Sequence, residues 1–141
     1  MRIQLPEENT IEIELLSRGA SNYIYDCQLR VTFIAFQQRY SQNIWVDGAE
    51  LQDFLRDLEI LNTQLTGQAK LTSETPGELL LCFVALDGLG HLALQFELGK
   101  QIRIGPELFW SKRVEAFALD AQQFAAICRE LVKHFSRLTQ P

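Results

Sequence analysis

Apolar residues recur along this chain at two periods, and the two periods separate strands from helices. The clearest stretch is 79–98, LLLCFVALDGLGHLALQFEL. Its first eight residues are apolar without a break, as in a strand buried on both faces. Asp87-Gly88 supplies a turn, with Gly88 expected at a positive φ and Gly90 as a second permissive position. Leu92, Leu94, Phe96 and Leu98 then alternate with His91, Ala93, Gln95 and Glu97, the period of a half-buried strand. A β-hairpin at the centre of a sheet follows.

Upstream, residues 3–5 read as a short strand stopped by Pro6. Residues 10–16 alternate Ile11, Ile13 and Leu15 against Glu12 and Glu14, a strand with one wet face. Residues 18–22 read as a loop. In 23–36 one parity carries Tyr23, Tyr25, Cys27, Leu29, Val31 and Phe33, while Ile34 and Phe36 break the polar parity. This length fits either one strand or two. Residues 37–42 are polar and predict a loop, with a short strand at 43–46.

Two helices carry start signals. Asp47 can cap the first, with Glu50 at the capping-box position, and Val46 and Leu51 can staple it. Leu51, Phe54, Leu55, Leu58, Leu61 and Leu65 share one face, and Gly67 suits the C-terminal cap, so the helix is expected over about 48–65. Asp120, Gln123 and the Leu119–Phe124 pair open the second, over about 120–138, with the stripe Phe124, Ile127, Cys128, Leu131, Phe135 and Leu138. Residues 69–73, 101–104 and 108–114 complete the strands, the last two interrupted by Gly105-Pro106. Turns rather than helices join most strands, which predicts one α+β domain over 1–141: mainly antiparallel sheet with both helices packed on it. No internal repeat is visible.

Composition narrows the class. At 141 residues and 47% hydrophobic, the chain can bury a substantial core. No run approaches the ~18 apolar residues of a membrane span, and the N-terminus lacks the apolar core of a signal peptide, so a cytoplasmic protein is expected. The net charge of −5 disfavours nucleic acid and suits a basic protein partner. Cys27, Cys82 and Cys128 are odd in number and each lies in an apolar pattern, as free buried thiols do.

Catalytic chemistry finds little support. Gly88-Leu-Gly90 precedes a strand and lacks the third glycine and helix of a dinucleotide loop. His91 and His134 are the only imidazoles, and neither has a nucleophile in a recognisable setting. Trp45, Phe54, Phe83, Phe96, Trp110 and Phe124 mostly follow core spacing. No catalytic residue, cofactor or metal is therefore expected. Ile60 alone breaks the helix pattern, lying opposite Leu51 among Asp53, Arg56, Asp57 and Gln64. Asp53, Asp57 and Ile60 are the candidate partner-binding residues.

Several local patterns resemble the WapI-type immunity proteins of bacterial polymorphic toxin systems. They are Trp45-Val46 before Glu50-Leu-Gln-Asp-Phe-Leu55, then Leu65-Thr-Gly-Gln-Ala-Lys-Leu71 with Ser73-Glu74. Leu79-x-Leu81, Asp87-Gly-Leu-Gly-His91 and the helix opening at Asp120 continue the resemblance, which covers about 43–138. It implies a non-catalytic protein that neutralises a cognate toxin by binding it, and it supplies no catalytic residue. Two other readings stay open. One is an acidic secretion chaperone, a class that generally starts with a helix rather than strands; the other is an enzyme using carboxylates and His91. Self-association also stays open.

Overall fold

The computed structural model describes residues 1–18 and 26–136. Among these residues eight strands and two α-helices run in the order β1 Arg2–Gln4, β2 Thr10–Arg18, β3 Cys27–Ala35, β4 Gln38–Val46, α1 Gly48–Gln64, β5 Gln68–Thr72, β6 Leu79–Ala85, β7 His91–Ile104, β8 Glu107–Asp120 and α2 Ala121–Ser136. The fold is α+β and its strands are antiparallel, as expected. They form two sheets rather than one, ordered β1-β2-β3-β4 and β5-β6-β7-β8. Each half of the chain is thus a four-strand meander followed by a helix. The repeat is one of elements and caps, not of residues, which is why the letters do not show it.

In β3 the buried apolar side chains are Cys27, Leu29, Val31, Phe33 and Ala35, one parity of a single strand, with Thr32 buried on the other. The 23–25 part of the expected strand, the loop over 19–22 and the helix end at 137–138 lie outside the described residues. β4 corrects the loop expected at 37–42. It pairs with β3 from Gln38 to Val46, and Thr32 and Ser41 hydroxyls meet across the pair at 2.8 Å. As an edge strand β4 needs little apolar content, because backbone pairing holds it while one side stays wet. Residues 101–104 and 108–114 belong to much longer strands. β7 continues unbroken from the central hairpin, and β8 pairs with it over its whole length. Gly105-Pro106 is the turn between them, not an interruption.

The central hairpin is observed with two corrections. Leu79, Leu81, Cys82 and Phe83 are buried, but Leu80 and Val84 are half-buried and Leu86 is exposed in the turn. The positive φ falls on Gly90, at 97°, and not on Gly88. Asp87 explains the difference: its Oδ1 accepts from Leu89 N at 2.8 Å, so the turn closes around Asp87 and the left-handed residue comes last. A Cβ on Gly90 would also meet the Ala121 Cβ at 3.1 Å, whereas one on Gly88 would meet nothing.

Both helix starts are observed. Asp47 Oδ1 accepts from Ala49 N and Glu50 N, while Glu50 accepts from Thr72 Oγ1. At α2 the box is reciprocal: Gln123 N donates to Asp120 Oδ1 at 2.7 Å and Asp120 N donates to Gln123 Oε1 at 2.9 Å. Where α1 ends, Leu65 rather than glycine takes the left-handed position, φ 55°, and its N–H bonds Leu61 O. Leu51, Phe54, Leu58 and Leu61 are fully buried, each worth about 1.5–3 kcal/mol of burial, so packing rather than propensity holds α1.

α1 packs mainly on β5 and α2, so the helix of the first half covers the sheet of the second. Cys128 Sγ reaches Leu58 O at 3.6 Å between the helices, and Phe83 meets Phe124 at 5.3 Å between ring centres. The sheets meet through Phe33, whose ring stacks on Phe96 at 5.6 Å. One continuous cluster of buried side chains joins both sheets and both helices.

Candidate binding surfaces

α1 presents its second face outward. Ile60 is 43% exposed, with Asp53 and Glu59 exposed and Asp57 half-buried around it. Arg56 pairs with Asp53 at 2.6 Å, one turn away. The three residues expected to contact a partner therefore share one outward patch, on a helix whose other side is spent on the core.

A second acidic feature forms where the two halves meet. Asp26, Asp47 and Glu74 bring carboxylate oxygens within 4.8 Å of one another. Each arrives there for a backbone reason. Asp47 caps α1, Asp26 Oδ1 accepts from Gly48 N at 2.7 Å, and Glu74 is placed by its N–H donating to Trp45 O at 2.8 Å. Partial burial first, then the hydrogen bond to Asp26 and repulsion from Asp26, Asp47 and Glu50, push the Glu74 carboxyl above its ordinary value of 4.5. Beside it opens a cleft of about 480 Å³ walled by Glu50, Glu74, Glu97 and Gly77. A raised carboxyl stabilises the fold when protonated and loses that contribution as pH rises through its folded value. Glu74→Gln is thus expected to melt above the native chain at pH 7, with the gap closing below about pH 4.5. Melting curves across that range check it; an equal gap at both ends would remove Glu74 from the titration.

The third surface was not legible beforehand. β6 begins at Leu79, paired with Leu98, so beyond that point β7 and β8 continue as a two-stranded ribbon. Ile102, Ile104, Leu108, Phe109 and Trp110 are all exposed on it, and Val114 is exposed at its base. Trp110, read as core from its spacing, is 44% exposed: its ring rests over Gly77, with no helix or further strand among the described residues on top of it. Phe36 is likewise outside: it sits at the β3–β4 turn with φ 53° and 93% exposure. The other four aromatic residues assigned to packing by spacing, apart from half-buried Trp45, are fully buried. The signal that could have found the ribbon is Leu108-Phe109-Trp110, three consecutive apolar residues beside a Gly-Pro turn, where alternation fails.

The chemical candidates are placed as follows. His91 lies exposed at the start of β7, and its Nδ1 bonds Asp87 Oδ2 at 2.7 Å. That bond, with Leu89 N next, holds the Asp87 carboxyl below the usual range. Burial pushes all three thiols upward, away from reactive thiolates. His134 packs edge-on against Phe135 at 5.1 Å. Among the described residues no helix is long and apolar enough to cross a membrane.

No protein-family model, curated protein or solved structure matches this chain.

Proposed function

We propose that this protein is a non-catalytic binding protein that neutralises a cognate bacterial toxin, capturing a basic toxin domain on the outward face of α1. The observation that carries the reading is Ile60, an exposed isoleucine with Asp57 and Glu59 near it and Asp53 paired to Arg56, on a helix whose other side packs into the core. An apolar centre with a charged rim is the anatomy of a protein interface, and the acid rim selects a basic partner. The resemblance of residues 43–138 to WapI-type immunity proteins points the same way. Three buried cysteine thiols suit a reducing compartment such as the cytoplasm, where such a toxin would be met.

The test is a titration of Ile60→Asp against the toxin domain encoded beside this protein. Stability should change by no more than about 0.5 kcal/mol, because the site is exposed. Affinity should fall by about 2 kcal/mol or more, because a charge would be buried unpaired at the interface centre. Association should also slow as salt rises, with dissociation changing less. A stable variant that binds at full affinity would remove this face from the mechanism.

A further inference from the structure

The ribbon formed by β7 and β8 beyond Leu98 and Arg113 has a composition unlike the rest of the chain. Segment 99–113 holds Lys100, Arg103, Lys112 and Arg113 against a single acid, Glu107, and so carries +3. With −5 overall, the remainder carries −8. The chain therefore consists of an acidic body with a basic, apolar arm projecting from it. From Gly99 to the turn at Gly105 the arm extends about 20 Å at strand rise.

Register divides the side chains of the arm between two faces. Directly paired residues share a face and neighbours along a strand alternate, so Gln101, Arg103, Leu108, Trp110, Lys112 and Val114 lie together. The base of this face adjoins the acidic cleft. Glu97 and Lys112, paired at 3.7 Å, line that cleft, and the Trp110 ring rests over Gly77 at its rim. One face thus runs from an acidic end, at Glu50, Glu74 and Glu97, through Trp110 and Leu108 to a basic tip at Arg103.

A surface with opposite charges at its two ends and apolar residues between them is complementary to itself when turned about a twofold axis. We propose that this face is a self-association surface: two copies of the chain lay their arms side by side, antiparallel, each tip over the other's acidic cleft. Arg103 of one copy then faces Glu50, Glu74 and Glu97 of the other, and the Leu108 and Trp110 side chains pack across the axis. Arms crossed tip to tip would bring like charges together, which excludes that pairing. Leu108, Trp110 and Val114, the apolar residues of this face, are 44% to 59% exposed, on the order of 300 Å² at about 150–250 Å² per large side chain. Two copies bury about 600 Å² of apolar surface with the charged ends beside it, the size of a weak interface that dissociates on dilution. Three carboxylates lining one cleft, Glu50, Glu74 and Glu97, gain from an incoming guanidinium.

Sedimentation of the full-length chain from about 1 to about 100 µM is expected to show a dimer that dissociates on dilution. Leu108→Glu and Arg103→Glu, both at exposed positions, should each weaken it about tenfold or more. Glu74→Lys combined with Arg103→Glu should restore it, since the charges are then exchanged rather than lost. Should an arm variant melt early, the Trp45→Phe chain, with Trp110 as its remaining indole, gives a second readout: Trp110 emission moves to shorter wavelength as concentration rises. A chain that stays monomeric throughout, or a dimer indifferent to Leu108→Glu and Arg103→Glu, overturns the proposal and leaves the arm to a foreign partner. The toxin titration with Ile60→Asp is read on α1, so either proposal can fail without the other.

Discussion

Phe96→Ala is expected to cost about 3–5 kcal/mol of unfolding free energy, the range for a large aromatic side chain removed from a closed core. Phe96 has no exposed surface, and its ring stacks on Phe33 of the other sheet at 5.6 Å. Phe33 also meets Phe117 of β8 at 6.3 Å, so rings from β7 and β8 both pack on it where the two sheets join. Loss of the Phe96 ring removes burial and leaves a cavity between two sheets that their own pairing keeps apart. Urea unfolding at equilibrium measures the effect, with Phe36→Ala as the control. Phe36 is almost wholly exposed, and its removal should leave the midpoint within experimental error. A cost for Phe96→Ala below about 1 kcal/mol would mean that the sheets are not joined through this contact.

Gly99→Ala is the second large effect, at about 3 kcal/mol, the upper end for overpacking. Its cause is a close approach of backbone to backbone. A Cβ at Gly99 would collide with the Gly77 carbonyl oxygen and crowd Lys112 Cγ at 3.2 Å and Trp110 Cε3 at 3.3 Å. Gly99 N also donates to Glu78 O at 2.9 Å, which ties the base of the arm to the β5–β6 connection. A carbonyl held by that connection cannot swing aside as a flexible side chain would, so the turn or the arm must move. The same unfolding measurement applies, and near-ultraviolet circular dichroism should show a changed Trp110 environment. A neutral Gly99→Ala would show that the turn does not lie against the arm.

How much was legible from the residues varies with the kind of feature. The caps at Asp47 and Asp120 were, because a cap depends on residues within four positions and on little else. The alternation in 27–35 and 92–98 identified which side of each strand is buried, since a period of two survives any tertiary arrangement. Ile60 was found because it violates a period that its neighbours keep. Local chemistry was less decisive at Asp87, where the carboxylate moved the left-handed residue from Gly88 to Gly90. At Leu65 a non-glycine residue took the left-handed cap, two positions before the glycine provided for it.

By itself the sequence determined the class of fold, the two helices with their starting caps, the inward faces of the strands and the lone apolar residue on the outside of α1. All of these are set by neighbours within a few residues. Tertiary structure decided what depends on who covers whom: that the strands divide into two sheets, that polar β4 is an edge rather than a loop, and that Asp26, Asp47 and Glu74 converge. It also decided that Leu108, Phe109 and Trp110 stand in solvent. An apolar run reads alike in a core strand and in a projecting ribbon, because hydrophobicity states a preference for burial and only the position of the other layer determines whether it is met.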